Sequence, residues 1–230
     1  MAGETIKSEA ICLDIRPWSR TSHVVSWLTP MGKVATVVKG AVRAKSQFLG
    51  QYDFNYTCDI VYYARAKGEL HALRESVPVE LREELREDYR KLALAGYFRR
   101  LVAELAPMGE ECRAWYGLLR RTLEDLRPKT EDLVQFELEV LRLSGLAPDF
   151  SKFDRNAEWS AFSIETGAFG AGEGRCIRVS RDVAEYLANG ARNAKNLQTP
   201  LDAARVIGVF YQFHLDCASD VRRTVLGMIS

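Results

Sequence analysis

Histidine is scarce, with three residues in 230, and the five cysteines (Cys12, Cys58, Cys112, Cys176 and Cys217) are odd in number and widely separated. Such a set makes neither a disulfide framework nor a CxxC metal knuckle, and it reads as reduced, buried thiols of a cytoplasmic protein. No apolar run approaches the ~20 residues that a membrane helix needs. The opening MAGETIKSEA lacks the hydrophobic core of a secretory signal. A Gly-rich loop ending in GK[ST], a GxGxxG after a strand and a GxSxG elbow are all missing, which removes the commonest nucleotide-binding and hydrolase signatures. Gly167, Gly170, Gly172 and Gly174 have no following Lys-Ser or Lys-Thr and read as a β-turn connection. His23 and His71 fall in predicted strands, and His214 falls in a predicted helix near Tyr211 and Cys217. None has a companion at metal-ligand spacing, so each reads as structural or surface. With no convergent catalytic groups and no metal set, the chain reads as non-enzymatic.

One further absence is local. Between Asp14 and Asp53 there is no acidic residue, while six basic ones occur: Arg16, Arg20, Lys33, Lys39, Arg43 and Lys45. The whole chain is nearly neutral, with 32 Lys+Arg against 31 Asp+Glu, so this segregation is not a consequence of composition. One sign of charge concentrated on one segment makes a local field that attracts polyanions whatever the net charge. Nucleic acid is the commonest polyanion, and its phosphates bind Lys and Arg through counterion release. The bland alternative is a solvated face.

What is present is a change of periodicity. Hydrophobic content of 47% with 27% charged residues describes a folded chain long enough for a sizeable core. Up to about residue 76, β-branched and aromatic runs alternate with turn signals. The runs are 10–15, ended by Pro17; 23–28, followed by the turn Thr29-Pro30-Met31-Gly32; 33–38, closed by Gly40; 54–63; and 69–74. Five short strands in this length suit a small barrel better than a sandwich. From about Val79 the period becomes helical. Leu81, Leu85, Tyr89, Leu92, Leu101, Val102 and Leu105 form one face, and Trp115 to Leu126 the next helix. Thr130 reads as an N-cap before Leu133, Phe136, Val140 and Leu143, with Gly145 closing that helix. Residues 146–178 have little helical character, and helices return at 180–187, at 200–217 with Pro200 at the first position, and at 219–229. The fold class is therefore α+β: an N-terminal five-stranded OB-fold barrel over residues 1–78, then a helical domain over 79–230 with a short irregular or hairpin insertion. Ser76-Val77-Pro78-Val79-Glu80 is too apolar for a flexible linker, and Val77 and Val79 are expected to pack at the junction. The charges at Glu80, Arg82, Glu83, Glu84, Arg86, Glu87, Asp88 and Arg90 read as an exposed helix face of weak ion pairs.

A barrel of this kind works on single strands through cations that track the backbone and rings that stack on bases. Arg16 and Arg20 bracket Trp18 after the first strand; Lys33, Lys39, Arg43 and Lys45 follow; Arg65 and Lys67 tip the loop between strands four and five. Trp18 either stacks on bases or is buried beside Pro17, whereas Phe48, flanked by Leu49, is expected to anchor its loop by burial. The arginine pairs at 99–100, 120–121 and 222–223 read either as receivers of an acidic peptide or as solvated helix faces.

At these residues the sequence resembles the RecO family of bacterial recombination mediators. The resemblance rests on Arg16-Pro17-Trp18-Ser19, Thr29-Pro30-Met31-Gly32-Lys33-Val34, Val38-Lys39-Gly40-Ala41-Val42-Arg43-Ala44-Lys45-Ser46 and Gly68-Glu69-Leu70-His71-Ala72-Leu73-Arg74-Glu75, and later on Leu143-Ser144-Gly145-Leu146-Ala147-Pro148-Asp149-Phe150. It implies an OB-fold followed by a helical domain, binding of single- and double-stranded DNA, annealing of complementary strands, and help in loading RecA onto strands coated by single-strand binding protein. It further implies RecR and, in many bacteria, RecF as partners, a cytoplasmic, nucleoid-associated location, and no nucleotide cofactor. Many family members carry a four-cysteine zinc site after the Pro-Asp-Phe string. Here Cys176 is the only cysteine in the corresponding segment, about 146–178, so the site is expected to be lost, with a hairpin near Glu165-Thr166-Gly167 and packing of Trp159, Phe162 and Phe169 in its place. The alternative from another class is an OB-fold RNA-binding or translation-associated factor.

Overall fold

Alternating apolar residues become strands, and the strands close on themselves. The computed structural model describes residues 4–65, 70–108, 112–170, 174–215 and 219–230. The chain forms two compact units, Met1–Asp125 and Leu126–Ser230. In the first, β1 (Thr5–Ser19), β2 (Ser22–Thr29), β3 (Gly32–Val38), β4 (Thr57–Tyr63) and β5 (Leu70–Glu80) make a closed barrel in the order β1-β2-β3-β5-β4. The β3–β5 pair is parallel and the others antiparallel, which is the OB arrangement. Ala10, Cys12, Val25, Trp27, Val38, Cys58, Ile60, Tyr62 and Leu73 fill the interior. The buried Trp27 Nε1 donates to Thr36 Oγ1 at 2.9 Å, so the one polar atom of the largest core side chain is satisfied.

Ile11, Leu13 and Leu28 are fully buried outside that interior cluster. Two helices cover this side: α1 (Tyr89–Leu105), packed on β1, and α2 (Arg113–Glu124), packed on β2. Arg99 of α1 donates to the Leu13 carbonyl and lies 4.3 Å from the Phe54 ring centroid. Arg120 of α2 pairs with Glu9 at 2.9 Å and Glu80 at 2.6 Å, and Tyr116 donates to Glu9. Between barrel and helices lies Arg82, only 6% exposed, with φ +50. Its guanidinium donates to the Asn55 carbonyl at 2.5 Å, to Thr57 Oγ1 at 2.8 Å and to Glu80. Burial opposes ionisation of Glu80, but the hydrogen bond from Arg120 and the charge of Arg82 prevail and hold its carboxyl below the usual range.

Several expectations need correction here. Pro17 does not end the first strand: beyond Cys12, β1 has β2 alone as its strand partner, and a residue without an N–H is tolerated there. The segment 76–80 is the end of β5 rather than a junction, and Val77 and Val79 are 57% and 51% exposed. Residues 81–88 are no helix beyond a single 3-10 turn, Glu83–Leu85. The apolar face of α1 is Leu94, Ala95, Tyr97, Phe98, Leu101 and Val102, while Tyr89 and Leu92 face solvent.

The second unit contains α3 (Thr130–Leu143), α4 (Arg181–Ala188), α5 (Gln198–His214), α6 (Ser219–Ile229) and a small antiparallel sheet. Its order is β7 (Ala168–Phe169), β6 (Trp159–Ser163), β8 (Cys176–Ser180). The expected hairpin turn falls between β6 and β7, and β8 is a third strand that the reading of residues 146–178 did not contain. Thr130 is the first helical residue rather than the cap, and Pro200 sits two residues inside α5. Ser180 caps α4 by accepting from the Val183 N–H at 3.4 Å.

Candidate nucleic-acid interface

The register of three strands decides which basic residues meet. Arg16 stands opposite Val24 and Ser19 opposite Ser22 on β2, while His23 stands opposite Val38 on β3. The β1–β2 turn and the start of the β3–β4 connection therefore leave the barrel at one end. Two hydrogen bonds tie them: Gly40 N–H to Ser22 Oγ at 3.2 Å and Val42 N–H to the Thr21 carbonyl at 3.4 Å. Arg16, Trp18, Arg20, Lys39, Arg43 and Lys45 all belong to this end and all are exposed.

The connection is built as successive tight turns, with Arg43 N–H on the Gly40 carbonyl, Ser46 on Arg43, Leu49 on Ser46 and Gln51 on Phe48. Ala41 and Phe48 are 3% and 8% exposed and belong to the barrel core, so the expected anchoring role of Phe48 is met. Gly40 has φ +67, and a Cβ there would stand 3.2 Å from Arg43 Cδ, so glycine lets the arginine fold back across the turn. The anchored apolar residues leave Lys39, Arg43 and Lys45 as the outward projections.

Trp18 is 61% exposed, which decides between burial and presentation. The cause is local: Pro17 pairs with His23 and Ser19 with Ser22, so Trp18 is the extra residue of a β-bulge. Arg16 leans on Asp14, Nε to Oδ2 at 2.5 Å, while its side chain stays 78% exposed. Among the described residues, Arg20, Lys39, Arg43 and Lys45 have no carboxylate partner.

Arg65 is exposed at the end of β4, and its N–H donates to His71 Nδ1 at 3.2 Å. Burial first, then the Arg65 charge, lowers the His71 pKa. Lys67 lies outside the described residues. Lys33 is not brought to the cluster. It is the second residue of β3, at the far end of the strand, six residues from Lys39, or about 20 Å at the strand rise. There its ammonium donates to the Ala103 carbonyl in the last turn of α1 at 2.8 Å, and burial lowers its pKa.

The remaining titratable groups are engaged in packing. His23 Nδ1 shares a hydrogen bond of 2.9 Å with the Tyr52 hydroxyl, whose pKa is pushed up to about 12 by burial and then by Cys12. His214 Nε2 meets the Ile164 carbonyl at 2.8 Å, and its ring centroid lies 4.2 Å from that of Phe210. In each arginine pair one member is exposed on its helix, as a solvated face requires: Arg100, Arg121 and Arg223. Arg99, Arg120 and Arg222 each turn inward to partners, while Arg100 pairs with Glu104.

Comparison with known proteins fixes the family. Residues 1–82 match the model described as Recombination protein O N terminal, and residues 86–216 match Recombination protein O C terminal. The chain belongs to the RecO family. The boundary between the two matches falls before α1, so the barrel unit Met1–Asp125 includes two helices of the C-terminal match. Three relatives, each called DNA repair protein RecO, are similar. That of Alkaliphilus metalliredigens (strain QYMF) is 32% identical over 149 residues, 62% of this chain and 59% of the relative. That of Roseiflexus sp. (strain RS-1) is 27% identical over 64% of this chain and 53% of the relative. That of Moorella thermoacetica (strain ATCC 39073 / JCM 9320) is 29% identical over 62% and 54%. The matched region thus spans little more than half the length of these relatives.

The zinc site that the family resemblance implies does not fit this chain's donor set. Cys176, the sole cysteine of residues 146–178, is exposed at the start of β8. Among the described residues no three His, Cys, Asp or Glu side chains group as metal ligands. In this segment phenylalanines pack instead. Phe150 stacks on Phe162 with centroids 5.0 Å apart, and Phe169 stands edge-on to Phe162 at 5.3 Å and to Phe153 at 6.0 Å. Trp159, expected in this cluster, is 46% exposed on the outer side of β6 with Arg178 over its ring at 5.2 Å.

Proposed function

We propose that this chain is a non-enzymatic mediator of recombinational DNA repair. It binds single- and double-stranded DNA, anneals complementary strands, and helps load RecA onto strands coated by single-strand binding protein. RecR, and RecF where present, are its partners in the bacterial cytoplasm at the nucleoid. The observation that carries the reading is the convergence at one barrel end of a bulge-presented Trp18 with Arg16, Arg20, Lys39, Arg43 and Lys45, in a chain of the RecO family. Such a surface supplies both parts of single-strand binding, cations along a backbone and a ring for a base. It requires no proton transfer, which agrees with three histidines held in strand and helix packing. Among the described residues no helix is long and apolar enough to cross a membrane. In this reading Lys33 holds α1 against β3 rather than DNA.

The test is annealing of complementary oligonucleotides coated with single-strand binding protein, without ATP. The protein should accelerate pairing of the coated DNA strands. No acceleration, or action confined to RNA strands, would replace this reading with the RNA-binding one.

No metal enters this mechanism. Elemental analysis of the purified protein is expected to give well under one zinc per chain, and a chelator should leave the melting temperature unchanged. About one zinc per chain, released only on unfolding, would contradict the expectation.

A further inference from the structure

The β-bulge that presents Trp18 has a counterpart in the β4–β5 pair of the barrel. On β5, Leu73 pairs with Tyr62 and Glu75 with Val61, so Arg74 is the extra residue. A bulge re-aims the side chain of its extra residue. Here the guanidinium of Arg74 is set over the ring of Tyr63, 5.8 Å from its centroid. Strand alternation buries Tyr62 in the barrel and leaves Tyr63, at the end of β4, 42% exposed. Tyr63 is not among the residues of the barrel's interior cluster, whereas Tyr62 is.

The position is continuous with the basic connection. Gln47 Nε2, two residues past Lys45, donates to the Arg74 carbonyl at 3.0 Å, which lays the β3–β4 connection against β5 beside Tyr63. Arg65 follows Tyr63 by two residues and is exposed. Basic residues of two connections, Lys45 and Arg65, thus lie within two residues in the chain of Gln47 and of Tyr63. Glu75 pairs with Arg74 Nε at 3.2 Å.

We infer that Tyr63, with Arg74 held over it by the β5 bulge, is a second base-stacking position, taking one unpaired nucleobase of a single strand whose phosphates run along Lys39, Arg43 and Lys45. The inference rests on the nucleic-acid reading of the basic end. An aromatic face with a cation beside it is sequence-tolerant, because every base offers a π-face, and a paired base in a duplex is closed to it. Trp18 and Tyr63 would then hold bases at two separated points, leaving the strand unstacked between them.

The experiment uses the full-length chain with two probes, an oligothymidylate and an abasic strand of equal length. Tyr63→Ala should weaken oligothymidylate binding about 5- to 150-fold, the range for one lost base stack, and leave abasic-strand affinity as in the parent. Tyr63→Phe should retain both affinities. The salt dependence should be that of the parent in both variants, since no phosphate contact changes. If Tyr63→Ala binds oligothymidylate like the parent while reversal of Lys39, Arg43 and Lys45 abolishes binding, the stacking position is wrong and the interface stands. Equal losses on both probes would make Tyr63 structural and also overturn the inference. If charge reversal leaves binding intact, the interface itself falls, and the stacking position with it.

Discussion

Replacing Glu137 by alanine is expected to cost about 3–5 kcal/mol of unfolding free energy, the range for removing one partner of a buried ion pair. Glu137 lies on α3 with no solvent exposure. Both of its oxygens accept from Arg222 of α6, Oε1 from Nε at 2.7 Å and Oε2 from Nη2 at 2.8 Å. The same Nη2 donates to the Ala204 carbonyl of α5 at 2.7 Å, so one guanidinium joins three helices. Fork-on-fork geometry of this kind is the strongest form of a side-chain pair. Its value still depends on both members, because each desolvated charge is compensated by the opposite charge of the other. Alanine leaves a guanidinium, whose side chain is 11% exposed, without that carboxylate. The paired change Glu137→Leu with Arg222→Met removes both charges and should recover most of the loss, since apolar replacement of a whole buried pair is near neutral. Gly208 of α5 makes room for this arrangement: a Cβ there would stand 2.4 Å from Arg222 Nη1. Denaturant unfolding of the full chain measures the effect, and a loss below about 1 kcal/mol for Glu137→Ala would show that the pair is not a staple of the second unit.

Nothing in the linear pattern announced that pair. Glu137 falls in the run Phe136-Glu137-Leu138 of a helix with an otherwise regular apolar face, and Arg222 is followed by Arg223, so both read as solvent-side charge. Periodicity detects helices but assigns charges outward by default, and it therefore misses charges whose partners come from distant elements. Arg82 failed for the same reason. Its i,i+4 setting among carboxylates fitted an exposed helix, whereas the carbonyl of Asn55 and the hydroxyl of Thr57 lie 25 or more residues away. Extension of β5 through Pro78 to Glu80 was equally illegible, because strand pairing with β4 overrides local propensity. The five barrel strands, their closure and the anchoring of Phe48 were legible, since alternation and turn residues are local signals. Lys33 shows the limit at the interface itself: charge and spacing grouped it with Lys39, but strand length separates them. Bulges are invisible in the sequence, and it took the register to show that Trp18 stands outside the ladder.

Reversal of Lys39, Arg43 and Lys45 to glutamate is expected to weaken single-strand binding by at least about a hundredfold at 0.1 M salt. The magnitude follows from counterion release. Each neutralised phosphate of a single strand contributes about 0.7 to the magnitude of the slope of log K against log salt. Three lost contacts flatten the slope by about 2, and a slope change of 2 over the decade between 1 M and 0.1 M salt is a factor of about a hundred. Repulsion by the new carboxylates adds to this. If the parent neutralises four to six phosphates its slope should be about −3 to −4, so the variant should retain about −1 to −2. The fold should survive, because all three side chains are exposed and the connection is held from below by Ala41 and Phe48 and laterally by Gln47. Arg43 does pack across Gly40, so a Lys39 and Lys45 double reversal is the control that leaves that turn untouched. It should show about two thirds of the slope change. Lys33→Met supplies the opposite control: its ammonium is engaged by the Ala103 carbonyl about 20 Å along the strand, so the salt slope should equal the parent's even if stability falls. Circular dichroism and titration of a labelled oligonucleotide across salt concentrations read all four proteins. A folded triple variant with the parent's affinity and slope would move the nucleic-acid surface away from this end of the barrel.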